Sequence, residues 1–159
     1  MTKKWLVAVL GAAAMTVSAG ALAQATVPAF YVGLEVGQTD VDTADKDTPG
    51  LKLLAGYQFH RNIAAEFGYG MLYDKGGVEV TSMELVAVGM FPINNQFSIY
   101  GKLGFARLEA DPGSDDNDLT FGFGAQFDLN RNLGLRAGWQ KYNTDPSVSY
   151  LHLGVMWRF

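Results

Sequence analysis

Apolar residues alternate with small or polar ones at the end of this chain. Leu151, Leu153, Val155, Trp157 and Phe159 fall on one face, and His152, Gly154, Met156 and Arg158 on the other. Strand side chains repeat with a period of two, so this is a strand with one greasy face. Phe59, Phe91, Phe127 and Phe159, separated by 32, 36 and 32 positions, each close such a stretch. The pattern predicts eight strands, at 30–38, 51–59, 63–73, 79–91, 97–108, 119–127, 133–142 and 148–159. The sixth is the cleanest. Leu119, Phe121, Phe123, Ala125 and Phe127 face one way, and Thr120, Gly122, Gly124 and Gln126 the other. In the third, Ile63, Ala65, Phe67, Tyr69, Met71 and Tyr73 share the greasy face.

Two classes of β-protein bury one face of every strand. In a soluble sandwich or lipid-binding barrel the greasy face points inward. Here the other face is dominated by Gly, Gln, Glu, Lys and Arg, too small and too polar to serve as an ordinary soluble exterior. Small inward residues suit a narrow eight-strand barrel, whose interior is just wide enough for side chains. Strands near 9–11 residues also suit a tilted membrane crossing. The fold class predicted is all-β, an eight-stranded antiparallel up-and-down transmembrane β-barrel. Val86, Val88 and Met90 fall on the inward face of the fourth strand. They predict either a bulge or an apolar periplasmic end of the lumen.

The connections alternate in length. Those at 60–62, 92–96 and 128–132 are short, whereas 39–50 and 109–118 are long and acidic. Membrane barrels have short periplasmic turns and longer outer loops, so both termini are expected in the periplasm. The Phe series then lies at the periplasmic rim, where aromatics favour the interface. Tyr69, Tyr73, Trp139 and Tyr142 are candidates for the outer girdle, although Trp139 and Tyr142 point to opposite faces by strict alternation.

The N-terminus supplies a route to the membrane. Lys3 and Lys4 precede an uncharged apolar run from Trp5 to Val17, and Ala21-Leu22-Ala23 is a small-x-small cleavage site. Residues 1–23 read as a secretory signal peptide, too short in its apolar run to span a bilayer, and 24–159 as the barrel domain. Removing the signal takes away two lysines, leaving 10 basic against 16 acidic side chains, a balance that argues against nucleic acid as a partner. There are no cysteines, hence neither disulfides nor a lipidated N-terminal Cys. No cofactor motif is present.

The inward charges are the candidate functional residues. They are Glu35, Lys52, Glu66, Glu84, Lys102 and Arg136, with His152 and Arg158 on the last strand. Isolated charges in so narrow a lumen are costly, so they are expected to pair. Antiparallel partners share a constant index sum. Glu35 and Lys52 centre on the first loop, and Glu84 and Lys102 on position 93, within the 92–96 turn. Both pairs are predicted as cross-strand neighbours. Glu66 and Arg136 lie at similar depth across the barrel. Such a network is a structural plug or, alternatively, a charged ion path. A hydrolase reading of Ser149 and His152 is disfavoured, because alternation points them to opposite faces. The acidic loops, with Asp40, Asp42, Asp45, Asp47 and Asp111, Asp115, Asp116, Asp118, lack the glycine of an EF-hand. They read as solvated loops facing a cation-bridged lipopolysaccharide layer.

Phe30-Tyr31-Val32-Gly33, the 56–62 segment Gly-Tyr-Gln-Phe-His-Arg-Asn and the 153–159 tail together resemble the small outer-membrane β-barrel family of Gram-negative bacteria. That superfamily includes the transmembrane domain of outer-membrane protein A, OmpX and the opacity-type barrels. The resemblance covers residues 24–159. It implies the outer membrane as location, outer-membrane lipid and lipopolysaccharide as surroundings, and a monomer. It also implies that the barrel-assembly machinery reads the tail Leu151, Leu153, Val155, Trp157 and Phe159. The chain departs from outer-membrane protein A in carrying no C-terminal peptidoglycan-binding domain, so no anchoring role is implied. The expected function is that of a non-enzymatic structural barrel, with a narrow pore or a surface adhesin as alternatives.

Overall fold

The computed structural model describes residues 27–41, 48–75, 78–111, 114–143 and 147–159. The predicted signal peptide, 1–23, lies outside them, as do Asp42, Asp45 and Asp47 and the side chains of Tyr73, Asp111, Asp115 and Asp116. Eight strands follow one another: β1 (Ala29–Val41), β2 (Thr48–His60), β3 (Ile63–Lys75), β4 (Val78–Pro92), β5 (Phe97–Asp111), β6 (Ser114–Asp128), β7 (Leu133–Tyr142) and β8 (Val148–Arg158). Each pairs antiparallel with the next, and β8 pairs with β1 to close the barrel.

The register sets the barrel's dimensions. One row of partners runs Tyr31, Gly56, Glu66, Val86, Gly104, Thr120, Tyr142, Val148 and returns to β1 at Val41. The circuit climbs ten residues, which is the shear of the barrel. Eight strands with that shear tilt by about 40° and leave an interior just wide enough for side chains.

The barrel is inside-out relative to a soluble protein. Phe105 is 71% exposed and Leu85 63%, whereas Glu35 and Lys52 are completely buried. Twenty-eight large apolar side chains stand on the outer wall or rim among the described residues. Left in water, each would forgo roughly 1 kcal/mol or more of burial energy, a cost that in sum exceeds a typical net stability of about 5–15 kcal/mol. A hydrocarbon surround removes that cost.

Two of the three turns at the end expected to face the periplasm share one construction. Asn94 Oδ1 accepts from the backbone N–H of Gln96 and Phe97 at 2.8 and 2.7 Å. Asn130 Oδ1 does the same for Asn132 and Leu133, both at 2.8 Å. The side chain mimics a backbone turn, which is why Asn recurs there. Asn62 and Asn132 then stitch neighbouring hairpins together, their Nδ2 atoms donating to Met90 O and Arg158 O at 2.9 Å. Phe127-Asp-Leu-Asn repeats Phe91-Pro-Ile-Asn, so the 36-residue spacing within the Phe series reflects a repeated turn.

At the other end the expected long loop 109–118 is mostly strand. β5 continues to Asp111 and β6 starts at Ser114, because ladder pairing satisfies backbone groups better than an irregular loop does. The 39–50 connection likewise shortens to 42–47. Length alternation is therefore carried by strands extended beyond the apolar band. The pairing of β3 with β4 shifts register between Met71 and Tyr73. The fourth strand keeps its register past Val86, Val88 and Met90, which are buried in an apolar inner cluster.

Inward glycines make room for specific neighbours. A Cβ on Gly56 would collide with the Tyr31 ring, which is held in place by a 2.6 Å hydrogen bond to Glu66. A Cβ on Gly89, which faces outward, would meet nothing within 4 Å. Gly56→Ala is expected to destabilise the barrel by about 1–3 kcal/mol through overpacking. Gly89→Ala should be neutral or stabilising by up to ~1 kcal/mol. Urea unfolding midpoints of the two refolded variants check the contrast; equal losses would refute it.

Candidate functional site

The lumen holds the predicted charges at its waist. Glu66 on β3 accepts from Tyr31 Oη and from Arg136 Nη1, both at 2.6 Å, and its other oxygen lies 3.1 Å from Lys102 Nζ. Glu84 on β4 accepts from Lys52 Nζ at 3.0 Å, Gln140 Nε2 at 2.7 Å and Tyr142 Oη at 2.8 Å. Glu35 on β1 stands between these two groups. Its carboxylate is 3.5 Å from Lys102 Nζ, 3.6 Å from His152 Nε2, and 4.0 Å from both Lys52 Nζ and Arg136 Nη1. Three acids and three bases thus interlock, all at most 3% exposed. Excellent geometry and extra hydrogen bonds are what such buried ions need to offset desolvation.

Neutral groups complete the cluster. Gln140 bridges, accepting from Lys52 Nζ at 2.8 Å while donating to Glu84 and to Thr120 Oγ1. Gln126 Oε1 accepts from Arg136 Nε and Nη2 at 3.3 and 3.0 Å. Aromatic faces cover the cations: Tyr100 lies 4.7 Å from the Arg136 guanidinium, and Tyr150 lies 5.1 Å from Lys52 Nζ.

Two apolar layers bracket the ions. Tyr31, Leu54, Ala64, Val86, Val88, Met90, Tyr100 and Met156 pack together toward the turn end. Ala106, Leu108, Tyr142, Val148 and Tyr150 pack toward the other, with Val80 against them. Tyr142 belongs to this inner layer, not to the outer girdle. Trp139 does face outward, against Phe121 and Phe123.

One predicted pairing is corrected. Glu35 and Lys52 are register partners, and Glu66 meets Arg136 across the lumen. Glu84, however, opposes Ala106, and Lys102 opposes Val88. The hairpin centres on residue 95, not 93, and that slip moves each partner by four positions. Glu84 instead reaches Lys52 two strands away. Gly68 and Gly70 on the intervening β3 have no side chains to separate them; a Cβ on Gly68 would sit 2.9 Å from Glu84 Cγ, and one on Gly70 3.2 Å from Lys52 Cβ.

Other candidates are not assembled. Ser149 is half-buried on the outward side of β8 and His152 is buried inside. His152 Nε2 is 3.1 Å from Tyr100 Oη. Among the described residues, no three His, Cys, Asp or Glu residues gather closely enough to hold a metal. The tail residues Leu151, Leu153, Val155, Trp157 and Phe159 all stand exposed on the outer wall. A second charged pair, not predicted from the sequence, closes the turn end: Arg158 Nη2 donates to Asp128 Oδ1 at 2.9 Å. The signal available was the turn, which brings Asp128 beside Gly134 and so within reach of β8.

The Lys52–Glu84 geometry carries a double-mutant test. Lys52→Glu should destabilise the barrel by about 3–5 kcal/mol, the usual cost of breaking a buried pair. Adding Glu84→Lys should restore much of it, whereas combining Lys102→Glu with Glu84→Lys should not. Urea unfolding of the refolded proteins measures both couplings.

Comparison with known proteins bears on the whole chain. No curated protein matches it. Three solved structures illustrate the likeness of fold. Ail, the attachment invasion locus protein of Yersinia pestis, is 22% identical over 82% of this chain and 97% of its own, with a TM-score of 0.58. Neisserial surface protein A is 20% identical over 82% and 97%, with a TM-score of 0.62. The N-terminal barrel domain of Pseudomonas aeruginosa OprF is 17% identical over 81% and 97%, also at 0.62. A family model described as the outer membrane protein beta-barrel domain matches residues 9–159. The inside-out barrel therefore sits in the outer membrane, and the chain belongs to the outer membrane protein beta-barrel family.

Proposed function

We propose that this protein is a structural outer-membrane barrel whose lumen is sealed by its own side chains and which performs no catalysis. The observation that supports this reading is the stacking of the lumen: an interlocked ion cluster between two apolar layers. Water crossing the barrel would have to displace paired charges and packed tyrosines and methionines together. The enclosed space lined by Tyr31, Met90, Gln126, Arg136 and Met156 has no room for a water-sized sphere. In this reading the partners are outer-membrane lipid and lipopolysaccharide around the wall, and the barrel acts as a monomer.

Planar-bilayer recording of the refolded protein should then give no steady conductance. Lys102→Ala and Arg136→Ala should each raise it, since each removes a long side chain and leaves a carboxylate that attracts cations. A reproducible cation-selective channel in the unmutated protein, abolished by Glu84→Gln, would replace the plug with a pore.

The same reading gives the tail a role in assembly. Leu151, Leu153, Val155 and Trp157 of β8 and the terminal Phe159 form one exposed apolar face, read by the barrel-assembly machinery. Phe159 and Phe30 are matched controls, because both rings are exposed at the same rim and Phe159 N–H donates to Phe30 O at 2.9 Å. Phe159→Asp is expected to lower insertion in cells much more than Phe30→Asp. Heat-modifiable gel mobility of the membrane fraction reports it. Equal losses would reduce the tail to ordinary interfacial contact.

A further inference from the structure

Glycine inside a strand weakens it and packs against nothing, so each one has a reason to be there. For twelve of the fourteen described glycines the reason lies within the barrel, because an added Cβ would sit 3.1 Å or less from another part of the chain. Gly89 and Gly101 are the two exceptions. A Cβ on Gly89 would meet nothing within 4 Å, and one on Gly101 would meet only Gly122 O, at 3.8 Å. Both are exposed on the outer wall, Gly89 on β4 and Gly101 on β5, and they are direct register partners. No packing within the barrel requires either of them.

Together they floor an open groove of about 340 Å³ on the outer wall. Phe91 and Ile99, the next outward pair toward the turn, also line it. Ile63 opposes Gly89 from β3 and Phe123 opposes Gly101 from β6, so large exposed side chains flank the pair on both sides. Asn62, in the turn before β3, lines the groove at the turn end. The rest of the lining is apolar apart from Tyr100, whose hydroxyl is turned to His152 in the lumen.

Within hydrocarbon one apolar surface gains nothing by leaving water, so a site there is distinguished by close packing. A smooth wall treats all acyl chains alike. A groove floored by bare backbone lets one chain touch the floor and both sides at once. This wall sits in the outer membrane, so acyl chains are what surrounds it. The groove also has a polar end at the turn and an apolar length toward the middle of the wall. A phospholipid has the same order, with its head at the interface and its chains running inward. The turn end is the one expected to face the periplasm, where the leaflet is phospholipid and not lipopolysaccharide. We propose that the groove floored by Gly89 and Gly101 is a docking site for one acyl chain of a phospholipid whose head lies beside Asn62. The site deepens the reading of membrane lipid as partner and does not depend on a sealed lumen, so bilayer recording and the experiment below fail separately.

The test is native mass spectrometry of the refolded protein released from octyl glucoside micelles containing palmitoyl-oleoyl-phosphatidylethanolamine, with lipid A as the comparison. The unmutated protein should retain one phospholipid, saturably, in preference to lipid A. Gly89→Val combined with Gly101→Val should lower that retention about tenfold, the worth of roughly ten lost atom–atom contacts. Ala137→Val, outward on β7 and two strands beyond β5, should leave it unchanged. Heat-modifiable gel mobility confirms that each variant is folded; should the valine pair fail to fold, Gly89→Leu alone fills the same groove. No retained phospholipid in the unmutated protein, or equal retention by the groove-filling variant, overturns the proposal. Retention of lipid A in its place assigns the groove to the other leaflet, and a glycine-dependent dimer assigns it to a second copy of this chain; either result also overturns it.

Discussion

Hydrocarbon offers backbone amides no partners, and the rest of this structure depends on that constraint. Strands can cross a membrane only if every N–H and C=O is paired, which forces the sheet to close on itself. Here β8 returns to β1 over eleven paired positions, leaving no edge in the described wall. Closure at eight strands with a shear of ten sets a narrow lumen. Every inward side chain is then chosen by what fits inside that tube, and every outward one by contact with lipid.

Fitting charges into such a tube requires gaps as well as partners. The glycines of the inner wall supply the gaps. Gly56 accommodates the Tyr31 ring, and Gly138 and Gly124 sit beside Tyr100 Oη. Gly68 and Gly70 let Glu84 and Lys52 meet across an intervening strand. The long side chains occupy the volume that glycine leaves, and their hydrogen bonds satisfy the heads. A lumen filled by apolar residues alone would seal equally well. Buried ion pairs contribute little net stability but heavily penalise mismatch. We read their role here as selecting one register among those that alternation permits, since a slip of one residue turns every inward charge toward lipid.

The two ends of the barrel solve different problems. At the turn end asparagine side chains build the turns and bridge between hairpins, so the rim is ordered without long loops. At the other end the strands extend beyond the apolar band, carrying polar residues such as Glu79, Glu109 and Asn117 on an exposed face. The outer wall between the ends carries aromatic residues near both edges, Phe30, Phe59, Phe91 and Trp157 at one and Tyr69 toward the other.

Period-two alternation by itself determined that the chain forms eight strands, which face of each is greasy, and that six charges point inward. Those are local properties, because a strand's side-chain direction follows from its backbone alone. The Glu35–Lys52 pairing was also legible, since those residues lie on adjacent strands joined by one connection. Which acid meets Lys102 was not. A two-residue error in the hairpin centre displaces the partner by four, and contact across the lumen depends on shear and on which intervening positions are glycine. Nor did alternation show that 109–118 is mostly strand, because polar residues beyond the bilayer carry no apolar signal. The Tyr142 layer and the Arg158–Asp128 pair likewise exist only once eight strands close. Their members come from strands distant in sequence, and only the tilt of the closed barrel brings them to a common depth.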